Sequence, residues 1–477
     1  MMRPQRPDSV HLGEQQVMPA ADPPPSGSAT SGPRIVVLGA GFGGLEVARA
    51  LGAAGVPATV VDQRNHHLFQ PLLYQVATAA LSATDVAEPI RRILAKYPSV
   101  RVVFGEVKRV EHDRKRLLLT CGKEIAYDIL VLATGATHGY FGHDEWARFA
   151  PGLKSIEDAR TIRSRLLLAF ERAERESYPD EQRRLTTIAV VGGGPTGVEM
   201  AGAIAELSRF ALARDFRNID PITTRVLLIE AGPRLLGTFS QEASDYARAR
   251  LERLGVAVRL GTVVSDIAES SIEVAGVREP VGLVIWAAGV RVSPLAAQLG
   301  VPTDRAGRIP VAPDLSVPGL EGVYALGDIA SSPGEDGRPL PGLAQVAKQQ
   351  GVHLGRELAR RNEAVGDTAL QPFRYESRGN AAIVGRHAAV FEHGRHRLSG
   401  FVAWIAWAIV HVYLLVGFQH RLTVSVQWLW RYLTYERGAR LIAEDVVEAP
   451  LPAQPRLVNA ANPASSRSEA EPQSTAP

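Results

Sequence analysis

Two segments of this chain repeat one pattern, and the repetition constrains the fold more than any other feature. RIVVLGAGFGGLEVARAL runs from an apolar strand, Arg34 to Leu38, into Gly39-x-Gly41-x-x-Gly44 and on into a helical pattern. TTIAVVGGGPTGVEMAGAIAEL does the same around Gly192-x-Gly194-x-x-Gly197. In such a loop the first glycine permits the tight turn and the second lets the backbone approach a pyrophosphate. The third lets the helix pack close to the strand, and the helix N-terminus faces the phosphates.

Each loop has the two partners a dinucleotide requires. PATVVD ends in Asp62, 18 residues past Gly44, and RVLLIEAG ends in Glu230. An acid at that place accepts hydrogen bonds from a ribose diol, and Glu230 should repel a 2′-phosphate, so the second site favours NADH over NADPH. Arg225 and Arg234 lie nearby and work against that bias. Two further strands stop at small residues where backbone must pass a cofactor: YDILVLATG at Ala133, Thr134 and Gly135, and VGLVIWAAG at Ala288 and Gly289. Two dinucleotides are expected.

These residues, with VYALGDIA placing Gly327 and Asp328 downstream, resemble the two-dinucleotide-binding-domain flavoproteins. The resemblance covers roughly residues 34 to 390. It implies an α/β fold of two Rossmann-like dinucleotide-binding domains, an FAD domain with an NAD domain inserted, the flavin lying between the two nucleotides. It also implies that FAD is bound non-covalently by the first loop, that NADH is a co-substrate at the second, and that Asp328 contacts the flavin ribityl chain.

One cysteine, Cys121, excludes the cysteine pair that disulfide reductases of that group place beside the flavin, and it excludes a thiolate zinc cluster. No metal site is expected, and Cys121 reads as a packed strand residue. Electrons must therefore leave the flavin directly. GLAQVAKQQG, from Gly342 to Gly351, follows the Gly-Asp turn and sets Gln345 and Gln349 four apart on one helix face. Ala344, Gln345 and Gln349 match the Ala-Gln-x-Ala-x-Gln pattern of the type II NADH:quinone oxidoreductases. NHHLFQPLLYQVATAALSATDVAEPIR, residues 65 to 91, also resembles that family, as a lid over the flavin and one wall of a quinone tunnel. An amide can hydrogen-bond a quinone carbonyl without a charge that an apolar guest would oppose; the plainer reading is glutamines on a solvated face. The resemblance implies that Glu199 reaches the nicotinamide and flavin edge, where its plainer reading is a first-turn acid favoured by the helix dipole. It places Arg378 where relatives commonly carry a lysine near the flavin. His66 and His67 read as structural hydrogen-bonders rather than proton donors.

FVAWIAWAIVHVYLLVGF, residues 401 to 418, has no Lys, Arg, Asp or Glu. As one helix it is roughly 27 Å long, marginal for a span. The next segment sets Val426, Leu429, Trp430 and Leu433 on one apolar face, and four of the six tryptophans lie between 404 and 430. Trp prefers the headgroup boundary, so these helices read as a monotopic anchor on the cytoplasmic face of the cell membrane, the alternatives being a transmembrane hairpin or a homodimer interface. Anchoring and cofactor binding are expected to separate at Ser399.

The expected organisation is a disordered leader 1–33, FAD-binding residues 34–155, an NADH-binding domain 156–295, FAD-binding residues 296–398, anchor helices 399–443 and a disordered tail 447–477. A net charge of +3 without a basic block argues against nucleic acid. The activity implied is non-proton-pumping transfer of electrons from NADH through FAD to a membrane menaquinone or ubiquinone. The alternatives are an NADH-dependent reductase of a ferredoxin-like protein and an NADH-sensing flavoprotein of the apoptosis-inducing type.

Overall fold

The structure is a computed structural model; it describes residues 32–363, 369–415, 418–434 and 439–442. The expected leader, but for its last two residues, and the expected tail lie outside the described residues.

The chain divides into two compact units. The first comprises residues up to Leu68, Ala87–Gly139 and Val290–Arg378; the second comprises Phe69–Val86, Tyr140–Gly289 and the residues from Gly379 onward. These divisions by compactness differ from the expected boundaries at 155/156, 295/296 and 398/399, which follow cofactor role.

In the first unit five parallel strands stand in the order Val323–Ala325, Ile129–Leu132, Ile35–Leu38, Ala58–Asp62, Val100–Phe104. The central strands are buried on both faces, which is why they read as unbroken Val, Ile and Leu rather than as an alternation. The helix Phe42–Ala53 leaves the first strand and packs on the helix Ala344–Glu363. That second helix buries Val346, Ala347, Gln350, Gly351, Leu354, Gly355 and Leu358, a repeat of three and four. Glycine sets the distance of approach: a Cβ on Gly351 would lie 2.2 Å from the carbonyl oxygen of Gly43.

The second unit repeats the theme with four parallel strands, in the order Val256–Arg259, Arg225–Ile229, Thr187–Val191, Leu283–Trp286. Its nucleotide helix, Pro195–Glu206, packs on Asn380–Gly385, which pairs with Ala388–His393 and through it with His396–Gly400 in an antiparallel sheet. The parallel-sheet α/β character expected from the two loops is present in each unit.

The C-terminal segment differs from its expected form in two respects. It is not one helix over residues 401 to 418: Phe401–Leu414 ends at Leu415, and Phe418–Thr434 follows. Among the described residues no helix is long and apolar enough to cross a membrane. Nor is the segment a separable appendage. Trp407 is 2% exposed and stacks on His411 and on Trp428, His411 meets Phe69 edge-on, and Trp428 Nε1 donates to Gln75 Oε1 at 2.9 Å. Part of the apolar run is therefore core, and its tryptophans are not all boundary residues. Val402, Ile405, Ile409, Tyr413, Leu422, Val426, Leu429 and Trp430 remain exposed.

Cys121 also departs from expectation. It is exposed, in the turn between the strands Arg116–Leu119 and Glu124–Ala126, where Gly122 takes a φ of 82° and donates its N–H to Leu119. The turn ends the strand two residues before the cysteine.

Candidate active site

The two glycine loops superpose in their roles. Gly39 has a φ of 100° and Gly192 a φ of 111°, values that favour glycine. A Cβ at Gly39 would strike the carbonyl oxygen of Ala133 at 2.4 Å, and one at Gly192 the carbonyl carbon of Ala287 at 2.7 Å. A Cβ at Gly44 would lie 1.9 Å from the carbonyl oxygen of Gly39, and one at Gly197 1.8 Å from that of Gly192. The middle glycines differ from their neighbours: beside Gly41 and Gly194 there is nothing within 4 Å. First and third glycines are thus required by the protein itself, while the second fronts open space in which a pyrophosphate can approach the backbone.

Each acid closes its own loop. Asp62 Oδ2 accepts the N–H of Ala40 at 2.6 Å and its Oδ1 that of Arg64 at 2.7 Å. Glu230 Oε2 accepts the N–H of Gly193, and its Oε1 that of Gly232 at 2.6 Å. Burial pushes the Asp62 carboxyl up from the usual range, and the two backbone donors draw it back. Every carboxylate oxygen keeps a second lone pair for a ribose hydroxyl.

The strands Ile129–Leu132 and Leu283–Trp286 each stop just before small residues. Ala133, Thr134 and Gly135 follow the first, Ala287, Ala288 and Gly289 the second, with φ of 66° at Gly135 and 71° at Gly289. Thr134 Oγ1 is buried without a hydrogen-bond partner among the described residues. A ligand atom at this loop would satisfy it, so the residues of the first unit fit a dinucleotide.

The stretch after the Gly-Asp turn holds three glutamines, and each grips backbone. Gln345 Oε1 accepts the N–H of Arg378 at 3.1 Å. Gln349 Nε2 donates to the carbonyl of Glu376 at 2.8 Å while its Oε1 accepts the N–H of the same residue at 3.1 Å. Gln350, 1% exposed, accepts the N–H of Gly327 at 2.8 Å and so fixes the turn that carries Asp328. Ala344 opens the helix, and the Arg378 side chain is exposed. Sequence reasoning singled out Gln345 and Gln349 but missed Gln350. The signal was there: Gln350 lies four residues from both Val346 and Leu354 on the buried face, and a buried amide needs a partner.

Glu199 sits on the first turns of Pro195–Glu206, and its Oε1 accepts the N–H of Ile383 at 3.4 Å. The side chain keeps a partial exposure, but protein surrounds the carboxyl, and that desolvation pushes it up to about 8. At neutral pH it is mostly a protonated acid, able to donate as well as accept.

Residues 33–351 match the family described as pyridine nucleotide-disulphide oxidoreductase. The chain is 40% identical over 423 residues to the type II NADH:quinone oxidoreductase Ndh of Mycobacterium tuberculosis, covering 86% of this chain and 90% of that protein. It is 30% identical to the mitochondrial internal alternative NAD(P)H-ubiquinone oxidoreductase A1 of Arabidopsis thaliana, covering 84% of each. Among solved structures, NDH2 of Plasmodium falciparum in complex with NADH matches with a TM-score of 0.80 at 21% identity, over 86% of this chain and 100% of that one. The chain belongs to the type II NADH:quinone oxidoreductases, within the pyridine nucleotide-disulphide oxidoreductases.

Proposed function

We propose how the residues of this FAD-dependent NADH:quinone oxidoreductase divide the work. The observation that carries the reading is the pair of equivalent loops in which Gly41 and Gly194 alone among the six glycines face open space. Gly39, Gly41 and Gly44 hold the pyrophosphate of FAD, Asp62 its ribose, Thr134 and the backbone of Ala133 and Gly135 its middle, and Asp328 its ribityl chain. When bound, FAD supplies the ring that takes a hydride and passes two electrons on. Gly192, Gly194, Gly197, Glu230, Ala288 and Gly289 hold NADH, with Glu230 disfavouring a 2′-phosphate.

Glu199 holds a proton at its carboxyl at neutral pH and presents it to the nicotinamide edge. Gln345 offers its amide to a quinone carbonyl, and Gln349 extends the same helix face, with Ala344 leaving room beside them. Arg378 places a positive charge on the acceptor side. The exposed apolar residues of Phe401–Leu414 and Phe418–Thr434 support peripheral attachment to a membrane, from which a menaquinone or ubiquinone would arrive, and the face proposed is the cytoplasmic one. The same face would serve a homodimer.

Stopped-flow separation of the two half-reactions tests the assignment. Gln345→Ala should slow flavin reoxidation by quinone and leave flavin reduction by NADH nearly intact. Equal loss in both halves removes Gln345 from the acceptor side.

A further inference from the structure

The residue between the first two glycines of the first loop is fixed on both sides. Ala40 donates its N–H to Asp62 and receives, at its carbonyl, the imidazole of His67, whose Nδ1 lies 2.9 Å away. A carbonyl only accepts, so Nδ1 carries the proton. In the second loop Gly193 occupies the equivalent place. Its N–H donates to Glu230, and its carbonyl accepts the backbone N–H of Leu236 at 2.8 Å. The two loops share one device, built on the carbonyl side from a side chain in the first and from backbone in the second.

His67 is well placed to act rigidly. It is 4% exposed, it stands in the short strand His66–Leu68 opposite Glu88, and its ring meets that of Phe42 edge-on with centroids 5.3 Å apart. Phe42 is the first residue of the helix after the loop. One imidazole therefore touches the chain on both sides of Gly41. The peptide joining Ala40 to Gly41 is planar and trans, so its N–H points opposite to its C=O. Holding the Ala40 carbonyl on His67 turns the Gly41 N–H the other way, away from the imidazole.

We infer that His67 is a positioning residue that aims the Gly41 N–H at the pyrophosphate and makes the first loop retain its dinucleotide. This rests on the reading that the first loop holds FAD. A loop whose peptides are already fixed gives up less freedom on binding, and its ligand dissociates more slowly. Burial holds the imidazole down to about 4, so it remains a neutral donor through the physiological range, and proton donation to substrate is not its part.

The test uses the holoenzyme and reads FAD release by recovery of flavin fluorescence after dilution. His67→Asn places an amide N–H near the position of Nδ1, and His67→Phe keeps the ring against Phe42 but has no donor. The phenylalanine variant should release FAD about tenfold faster or more, as expected for an unmet buried carbonyl, and the asparagine variant should stay within about threefold of the parent. The NADH KM of the flavin-loaded fraction should not move in either. Where the phenylalanine variant fails to accumulate, His67→Gln, with the same amide one bond further out, takes its place and should show the faster release. Equal release from parent and phenylalanine variant overturns the role, and so does an asparagine variant as leaky as the phenylalanine one. Parent enzyme purified without flavin would instead overturn the assignment of the first loop.

Discussion

Gln349 and Glu376 meet through two hydrogen bonds, the side-chain amide donating to the backbone carbonyl and accepting from the backbone N–H. The amide keeps one N–H and one lone pair after this exchange, so it can serve a second partner while holding the first. Gln349→Ala should therefore do two things: raise the quinone KM severalfold, and speed hydrogen exchange at the Glu376 amide before any quinone is added. Exchange measured by mass spectrometry on the peptide spanning residues 371 to 378 decides the second. Unchanged exchange with a raised KM would leave Gln349 as an acceptor-side group and nothing more.

Gln350→Met should lose the acceptor for the Gly327 N–H at nearly constant volume. We expect a cost of about 1 kcal/mol, typical of one hydrogen bond, and weaker flavin binding because the turn carrying Asp328 loosens. Thermal release of flavin should fall by a few degrees while NADH affinity stays constant. A flavin release temperature equal to the parent's would show that Gly327 is held by the fold without this amide.

The parts of this enzyme visible in its sequence are those in which backbone geometry restricts residue choice. Gly39, Gly44, Gly192 and Gly197 are legible because a Cβ at any of them meets backbone, and Asp62 and Glu230 because each stands at the end of the apolar strand that follows its loop helix. What was not legible depends on neighbours distant in sequence. Trp407 and Trp428 look like boundary residues until their stacking and the bond from Trp428 to Gln75 are seen. The glutamines at 345 and 349 were legible as amides on a helix, but neither Gln350 nor the segments the three grip were, because nothing local ties residue 349 to residue 376 or residue 350 to residue 327.

Glu199 makes stability depend on pH in an unusual direction. Its folded carboxyl is raised to about 8, above the value near 4.5 of the unfolded chain, so between these values the folded state holds a proton that the unfolded state has lost. Stability contributed at this site is thus highest at low pH and falls as pH rises through that window. Glu199→Gln carries no titrating proton, so its thermal midpoint relative to the parent should improve from pH 5 to pH 8.5. A difference that stays flat with pH would mean that the carboxyl titrates normally. Turnover with NADH should fall in the variant at every pH if the acid serves the nicotinamide.

Glu230→Ala should lower kcat/KM for NADH by more than loss of a ribose contact alone, because the same carboxylate holds the N–H groups of Gly193 and Gly232. With the loop loosened and the 2′-phosphate no longer repelled, the ratio of kcat/KM for NADH to that for NADPH should narrow by about tenfold, one charge interaction's worth. An unchanged ratio would remove Glu230 from the adenosine ribose.

The C-terminal helices call for substitution on their surface rather than removal. Deleting the chain from Ser399 would uncover Ala388–His393, on which Phe401–Leu414 packs, and would remove the partner of Gln75, so the second unit should lose stability along with its exposed face. Replacing Val402, Ile409, Val426 and Leu429 together by serine touches only exposed apolar residues and leaves Trp407 and Val424 buried. Each such side chain contributes on the order of 1–2 kcal/mol when it enters an apolar phase, so the four changes should weaken vesicle partitioning by at least a hundredfold. Flavin content and turnover with a water-soluble short-chain quinone should match the parent, while turnover with a long-tailed quinone in vesicles should drop. Sedimentation with vesicles, absorbance of bound flavin and the two rates, measured on one preparation, decide the matter. Undiminished vesicle binding with a shift from dimer to monomer would assign the face to a second copy of the chain instead of lipid.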